Sequence, residues 1–581
     1  MARNDEVATR LEAFADLLEA RDVEFKPRAY RRAAENLRGY PRDVEDLAAE
    51  GPEAVQQIDG VGEAIAQKVV EYIETGEIGE LEALREELPV DMAALTNVEG
   101  VGPKTVGKLY DALGITSLDE LEAAAREGKI RGVEGFGEKT EQNILDNVGF
   151  ARQSQQRSLL GKARPVAERL CDYLRDADGV ERARIAGSLR RWRETIGDVD
   201  VLTAGDDPEA VVEAFTGWDE ATEVIEAGTS KASVRADDMR VDLRVVVPAE
   251  FGSALQYFTG SKAHNVHLRN LAIERDRKMN EYGVFDVSEV EDDAGQRAGV
   301  RVGGETEAEM YDALDLPLIP PELREDRGEI EAAQDGALPD LVEVDEIRGD
   351  LHTHTEWSDG DDTIAEMVAA AADRGYEYHC VSDHAAGPGV FGNTGLTEGD
   401  LEAQLDEIDA VREEADIEVF SGVEANIDAD GALTTDEDLL ERLDVVVASP
   451  HAALRQERPE ATARILAAVE NPLVDVLGHP SGRLLNERPG LELDYERLAE
   501  AAAEHDTALE VNASYHRLDL RDEAVRVAVE AGALLAIDTD AHRPPELGNV
   551  RYGVHTARRG WAETADVLNA RDADGVRDFL H

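Results

Sequence analysis

Two groups of residues in this chain have the types and spacing for metal-assisted chemistry. In the first, Gly187-Ser188-Leu189-Arg190-Arg191 is followed by Gly197-Asp198-Val199-Asp200. Alternate residues of a strand face the same way, so Asp198 and Asp200 are expected to project together while Val199 and Val201 enter a core. A second strand-like run, RVDLRVVV, places Arg240, Asp242 and Arg244 on one face and Val241, Leu243 and Val245 on the other. Three carboxylates on adjacent strands suit two divalent ions roughly 3.5–4 Å apart, the arrangement for in-line phosphoryl transfer. The Gly187-Ser188 turn offers backbone and hydroxyl donors to a triphosphate, and Arg191 offers charge.

The second group is built on histidine. Of 13 His, 11 follow residue 350. His352-x-His354 sets two imidazoles at one strand end, and Asp359, His384, Glu424, His451, His479, Asp540 and His542 follow at later ones. Nine N/O ligands exceed the four or so that one zinc takes, and they suit two or three ions. Mixed imidazole and carboxylate donors favour manganese, zinc or iron over magnesium or calcium. Such a cluster lowers the pKa of a bridging water and holds a phosphate for attack. His379, His505, His516, His555 and His581 stand apart from this pattern and are expected to be ordinary core or surface histidines.

The elements that must carry these residues can be read from periodicity. Residues 1–150 read as short helices broken by three similar turns, IDGVGEAIAQKV (58–69), VEGVGPKTVGKL (98–109) and VEGFGEKTEQNI (133–144). Each places Gly-x-Gly before a helix, an internal repeat of one supersecondary unit. The glycine pairs are Gly60 and Gly62, Gly100 and Gly102, Gly135 and Gly137. A helix N-terminus behind such a turn binds a DNA phosphate through backbone amides, without reading sequence. Residues 180–250 switch to the alternation of strands. The stretch 326–345 is acidic and reads as a linker. From residue 346, apolar runs end in DLHTH, CVSDH, SGVEAN, ASPH, LGHP, EVNAS and IDTDAH, with helical segments between. Seven strands with polar C-terminal ends are the pattern of a barrel enzyme.

Composition sets further limits. The chain carries 127 acidic and 60 basic residues, net −67, and 50 of the basic residues are arginine. Acid in that excess repels nucleic acid in dilute salt. At about 1 M ionic strength the Debye length is roughly 3 Å, and the repulsion is confined to contact range. A salt-rich cytoplasm is therefore expected. Residues 182–193 (RARIAGSLRRWR) run the other way, with arginines and no acid. Two cysteines, Cys171 and Cys380, cannot build a disulfide framework. No apolar run is long enough to span a membrane, and the start lacks the pattern of a signal peptide.

The combination G-S-x-R-R…G-D-V-D, with YFTGSKAHNVHLR (257–269) and LPLIPPELRE (316–325), resembles the nucleotidyltransferase signature of DNA polymerase beta and its family X relatives. The resemblance implies that Asp198, Asp200 and Asp242 bind magnesium or manganese. It places Gly187, Ser188, Arg191 and Gly197 at the incoming triphosphate, and Tyr257, Phe258 and Gly260 at its sugar. Asn265 would face the base and minor groove, and Arg269 and Arg240 the DNA. Trp192 and Lys262 depart from the family, which often has a small residue and an acid there. Residues 20–80 resemble the family's N-terminal domain, with Lys68 matching its Schiff-base lysine and Tyr30 and Lys26 its neighbours. The order H-x-H, D, H, E, H, H, D-x-H resembles the polymerase-and-histidinol-phosphatase (PHP) domain, a (β/α)7 barrel with Mn-dependent 3′→5′ exonuclease activity in composite polymerases.

The expected architecture is therefore multidomain. All-α helix-hairpin-helix segments occupy 1–85 and 86–150, an α/β nucleotidyltransferase palm with thumb 151–325, the linker 326–345 and the PHP barrel 346–581. The expected activities are gap-filling synthesis on gapped or primed DNA from dNTPs, 3′-end processing, and a 5′-deoxyribose-phosphate lyase. The alternative is a PHP phosphoesterase tethered to DNA by an idle polymerase half. A cytoplasmic monomer from a halophilic archaeon is the expected setting.

Overall fold

The computed structural model describes residues 2–580 apart from 24–25, 39–41, 43, 59, 97, 99, 155–156, 291–294 and 388–394. Two compact units emerge, Met1–Gln156 with Asn486–Arg488, and the remainder. No helix among the described residues is long and apolar enough to cross a membrane.

The first unit is helical and holds two apolar clusters. One gathers Leu11, Phe14, Leu37, Leu47, Ile58 and Val69; the other gathers Leu95, Val101, Leu109, Leu121 and Ile144. The three repeated turns share one backbone geometry. Gly60, Gly100 and Gly135 have φ of 74°, 83° and 90°, a left-handed region that glycine enters without a Cβ clash. Gly62 and Gly102 then start the helices Glu63–Thr75 and Pro103–Leu113, with no side chain capping either end. The first amides of those helices remain open to a ligand.

In the second unit a five-stranded palm sheet runs in the order Arg182–Ile185, Val199–Ala204, Met239–Val246, Lys231–Ala236, Glu223–Ala227. Val199–Ala204 and Met239–Val246 are parallel and their other neighbours antiparallel. Val199, Val201, Val241, Leu243 and Val245 point into a core shared with the helix Leu160–Arg175. The thumb follows: the helix Lys262–Glu274, three antiparallel strands and the helix Glu307–Asp312.

Residues 326–345, expected to be a linker, are folded. They carry the helix Glu329–Asp335, whose Ile330 and Ala333 enter the thumb core beside Leu268 and Tyr311. Val342 lies in the barrel core. Acidic composition disguised this segment, because its few apolar residues fall on one short helical face.

The C-terminal barrel has seven parallel strands in sequential order, from Gly349–Asp350 to Leu535–Ala536. Beyond the last strand, Asp540 N–H donates to the His352 carbonyl (3.0 Å) and His354 N–H to the Ala541 carbonyl (2.8 Å). These bonds join the first strand end to the last and close the barrel. Palm and barrel pack directly. Tyr515 lies so close to Gly161 that an added Cβ would sit 2.1 Å from its ring, and Leu518 and Tyr552 join the palm core.

Thumb and palm are locked by Glu307. It accepts from Arg190 (2.5 and 2.8 Å) and Arg324 (2.6 Å). Burial pushes its carboxyl up, but the two guanidiniums outweigh this and hold it down at about 2. A depressed folded pKa stabilises fully above the ordinary value near 4.5 and loses that contribution as pH falls towards 2. Glu307→Gln should lower stability by about 3–5 kcal/mol at neutral pH, since it leaves Arg190 and the buried Arg324 without their charge partner. Thermal melts between pH 7 and 3 should show the wild type converging on the variant at the acid end; parallel curves would contradict this.

Candidate active sites

On the palm, Asp200 and Asp242 stand directly opposite each other in register, and Asp198 immediately precedes the first strand. One carboxylate oxygen from each of the three lies within 4.8 Å of the others. Burial, then the charges of Asp198 and Asp242, push Asp200 up to about 7. That crowding of like charge is what a divalent cation relieves, so the donor set fits one. Asp242 is held by Ser233 Oγ (2.5 Å) and by Arg240 Nε (2.9 Å). Arg240, expected at the DNA, is thus bound to a carboxylate of the cluster.

Gly187 has φ 63°, and a Cβ there would come 2.0 Å from Asp200 Oδ2. Only glycine lets the turn approach the carboxylate this closely. A cleft of about 730 Å³ opens above, lined by Ser188, Arg191, Asp198, Asp200, Tyr257, Phe258, Gly260, Asn265 and Arg269. Lys262, Glu325 and Arg157, the last not anticipated from sequence, line it as well. Gly197 sits at its edge, where a Cβ would lie 3.3 Å from Arg157 Nη1. Arg191 is anchored by its Nε on Glu325 (3.0 Å) and its Nη1 on the Thr259 carbonyl. Asn265 donates to the Tyr257 carbonyl (2.7 Å) and accepts from Gln256 (2.8 Å), tying the thumb helix to the palm.

In the barrel all nine anticipated ligands converge. Glu424 is the hub. Its Oε1 is 2.9 Å from His479 Nε2, 3.1 Å from His451 Nε2 and 3.5 Å from His352 Nε2. Its Oε2 is 2.5 Å from His384 Nδ1 and 3.7 Å from His354 Nε2. Asp540 lies 3.1 Å from His354 Nε2, and Asp359 is 3.3 Å from both His384 and His542. Buried His352 Nε2, His354 Nε2, His384 Nδ1, His451 Nε2 and Glu424 Oε2 make no aligned hydrogen bond among the described residues. Converging, unsatisfied lone pairs in a buried space are the signature of metal donors.

The partners on the far side of each ring point the same way. His352 Nδ1 is 2.7 Å from Glu510, His451 Nδ1 2.7 Å from Asn426 Oδ1, and His542 Nδ1 2.9 Å from the Asp540 carbonyl. Each acceptor fixes the proton on Nδ1 and turns the Nε2 lone pair inward. Among the described residues no other histidine joins the cluster: His379 bonds Thr353 in the interior, His555 stacks on Trp192, and His505 ends a helix. His516 lies tilted against Tyr515, and His581 lies outside the described residues.

In the helical unit Lys68 Nζ is 3.0 Å from Glu80 and 5.5 Å from the Phe14 ring centroid. Its side chain is 11 % exposed and that of Glu80 70 %. Tyr30 packs edge-on against the same Phe14, and Lys26 is exposed.

Comparison with known proteins agrees with this arrangement. Residues 2–78 match a helix-hairpin-helix domain, 92–148 a SAM-like helix-hairpin-helix tandem, 254–325 the DNA polymerase beta thumb and 350–514 the PHP domain. The chain is 37% identical over 575 residues to the DNA polymerase/3′-5′ exonuclease PolX of Bacillus subtilis (strain 168), covering 98% of both chains. It belongs to the family X DNA polymerases with a C-terminal PHP domain. The barrel alone also resembles probable phosphatases. One from Thermoanaerobacter sp. (strain X514) is 29% identical over 243 residues, 40% of this chain and 93% of that protein. Another, from Caldicellulosiruptor saccharolyticus, is 32% identical over 203 residues, 33% of this chain and 79% of that protein.

The two residues expected to depart from the family pattern take different places. Lys262 begins the thumb helix and is exposed, while Trp192 is buried against the barrel. Sequence reasoning missed Glu510, although it begins the EVNAS strand end. Besides His352, Glu510 accepts from the His479 backbone N–H and from Asn512 Nδ2 (3.2 Å). Glu510→Gln should weaken metal binding at the barrel about 10–100-fold while leaving the palm cluster intact. Metal titration of the full chain, with Asp198→Ala to silence the palm, measures this; unchanged barrel affinity would refute it.

Proposed function

We propose that this chain fills short gaps in DNA by template-directed nucleotidyl transfer and cleans 3′ ends by hydrolysis in its barrel. The coexistence in one chain of the palm carboxylate trio and the nine-residue barrel cluster carries the reading. The full-length relative named as both polymerase and exonuclease supports it.

At the palm, Asp198, Asp200 and Asp242 would hold magnesium or manganese; at the barrel, His352, His354, Asp359, His384, Glu424, His451, His479, Asp540 and His542 would hold two or three manganese, zinc or iron ions. Such ions supply Lewis acidity and a deprotonated oxygen nucleophile when bound. The chain's own groups do the rest. Ser188, the amides of the Gly187 turn and Arg191 receive the triphosphate. Tyr257, Phe258 and Gly260 wall the sugar and disfavour ribose. Arg269 reaches the template, and the helix starts behind Gly62, Gly102 and Gly137 take backbone phosphates. Arg517, 3.3 Å from Asp540, is placed to meet a scissile phosphate in the barrel. The −67 charge suits a monomer working in a salt-rich cytoplasm, as in a halophilic archaeon, where DNA repair would be its task.

A second reading has support of its own. The barrel's phosphatase relatives favour a phosphomonoesterase acting alone, with the polymerase half a tether. Primer extension and 3′ digestion on gapped DNA in molar KCl with Mn²⁺ or Mg²⁺ separate the two. Asp198→Ala should reduce extension about 10²–10³-fold and spare digestion, and His352→Ala should do the reverse. Extension unaffected by Asp198→Ala would leave the tether reading standing.

Lys68 adds a lyase to the proposal. Its amine is buried against Phe14, and its acidic partner Glu80 is free to turn to solvent. Borohydride should trap an adduct between the wild type and a 5′-deoxyribose-phosphate end, and none with Lys68→Ala. Equal trapping by both would dismiss the role.

A further inference from the structure

The residue that follows Arg191 is where the barrel touches the polymerase cleft. Trp192 is 8 % exposed and has φ 55°, in the left-handed region. A non-glycine residue is held there only by its surroundings. Those surroundings are explicit. The indole lies between the Arg164 guanidinium, 3.4 Å from its centroid, and the His555 imidazole, at 3.5 Å and 11°. His555 is in turn fixed by Glu322 (2.8 Å). It belongs to the helix Val550–Arg559, which packs on the outside of the barrel.

One turn along the same helix, the side chain of Arg559 is only 4 % exposed. Its Nη1 donates to the carbonyl of Arg191 (2.7 Å) and to Glu325 Oε1 (3.1 Å), and its Nη2 to Asp522 (2.6 Å). Glu325 Oε1 also accepts from Arg191 Nε (3.0 Å). Arg193 Nη1 stands farther off, 3.8 Å from the same oxygen. Two palm guanidiniums and one from the barrel therefore share one carboxylate oxygen. With Glu325 12 % exposed, water screens this exchange weakly. Without Arg559, Glu325 would bear on Arg191, its nearest remaining partner, and on Arg193, and would cancel more of the positive charge at the cleft wall. Arg559 takes up part of the carboxylate and also pins the Arg191 backbone.

We infer that Arg559 of the barrel is a positioning residue of the polymerase nucleotide subsite: it fixes Arg191 and offsets Glu325, leaving Arg191 charge available to an anionic triphosphate. The inference rests on the proposed polymerase reading, in which Arg191 is a triphosphate contact. Lysine is a poor substitute, because one ammonium cannot span the Arg191 carbonyl, Glu325 and Asp522 with the planar fork of arginine.

Steady-state filling of a one-nucleotide gap by the full chain tests this, with 3′ digestion of single-stranded DNA and the melting temperature measured on the same samples. Arg559→Met should raise the KM for dNTP about tenfold, equivalent to about 1.4 kcal/mol, with kcat within about twofold and digestion unchanged. Arg559→Lys should fall between. Adding Glu325→Gln to Arg559→Met should bring KM back towards the wild type, because the uncompensated charge is gone. A purely structural contact would not give that suppression. Should Arg559→Met lose its cooperative melt, Arg559→Lys with and without Glu325→Gln carries the same comparison. An unchanged KM, a joint fall of both activities, or a double variant no better than the single one overturns the inference. No incorporation by the wild type, or an Arg191→Met variant with normal KM, would instead overturn the polymerase reading beneath it.

Discussion

Two glutamates that each accept hydrogen bonds from two arginines hold the palm cleft in shape. Glu307 joins Arg190 to Arg324, and Glu325 joins Arg191 to Arg559. The pairs interleave in sequence: residues 190 and 191 are adjacent, and so are 324 and 325. One short palm turn is thereby clamped against the end of the thumb at two consecutive positions. Buried guanidiniums of this kind tolerate no loss of their partners, because an unpaired charge in a low-dielectric interior is expensive. The chain carries about twice as many acids as bases. The few sites where arginine gathers are where charge has a structural task.

The two reaction centres solve electrostatic crowding in opposite ways. On the palm, three carboxylates crowd together, and Asp242 leans on Ser233 and Arg240. In the barrel, one glutamate is surrounded by five imidazoles, two of which have their outer nitrogens held by Glu510 and Asn426. The palm cluster is open and suits an exchangeable ion arriving with its substrate. The barrel cluster is enclosed and suits ions that stay.

Much of this was legible in the sequence because strand periodicity is strict. The spacing of Asp198 and Asp200, the apolar alternation of RVDLRVVV and the polar ends of seven apolar runs follow from the two-residue repeat. What remained hidden are contacts between residues far apart in the chain. Glu510 looks like any other acid until His352 is seen beside it. Arg157 precedes the palm sheet and gives no local sign of reaching the cleft. His555 was read as an unremarkable histidine and Trp192 as a departure, and only the packing of barrel on palm makes them a pair. The 326–345 segment misled because acid and proline around it imitate a tether, while a short helix with two apolar contacts is enough to dock it.

Closure of the barrel has a temporal side. His352 and His354 stand on its first strand end, while Asp540 and His542 arrive nearly two hundred residues later, and the bonds that seal the ring run between them. Arg559 comes later still. During synthesis, the nuclease centre therefore has no complete donor set until the last strand has left the ribosome, and the cleft wall lacks its final brace until the helix after it has docked. A nascent or prematurely terminated chain has the sequence of its hairpins complete long before it has that of the barrel cluster.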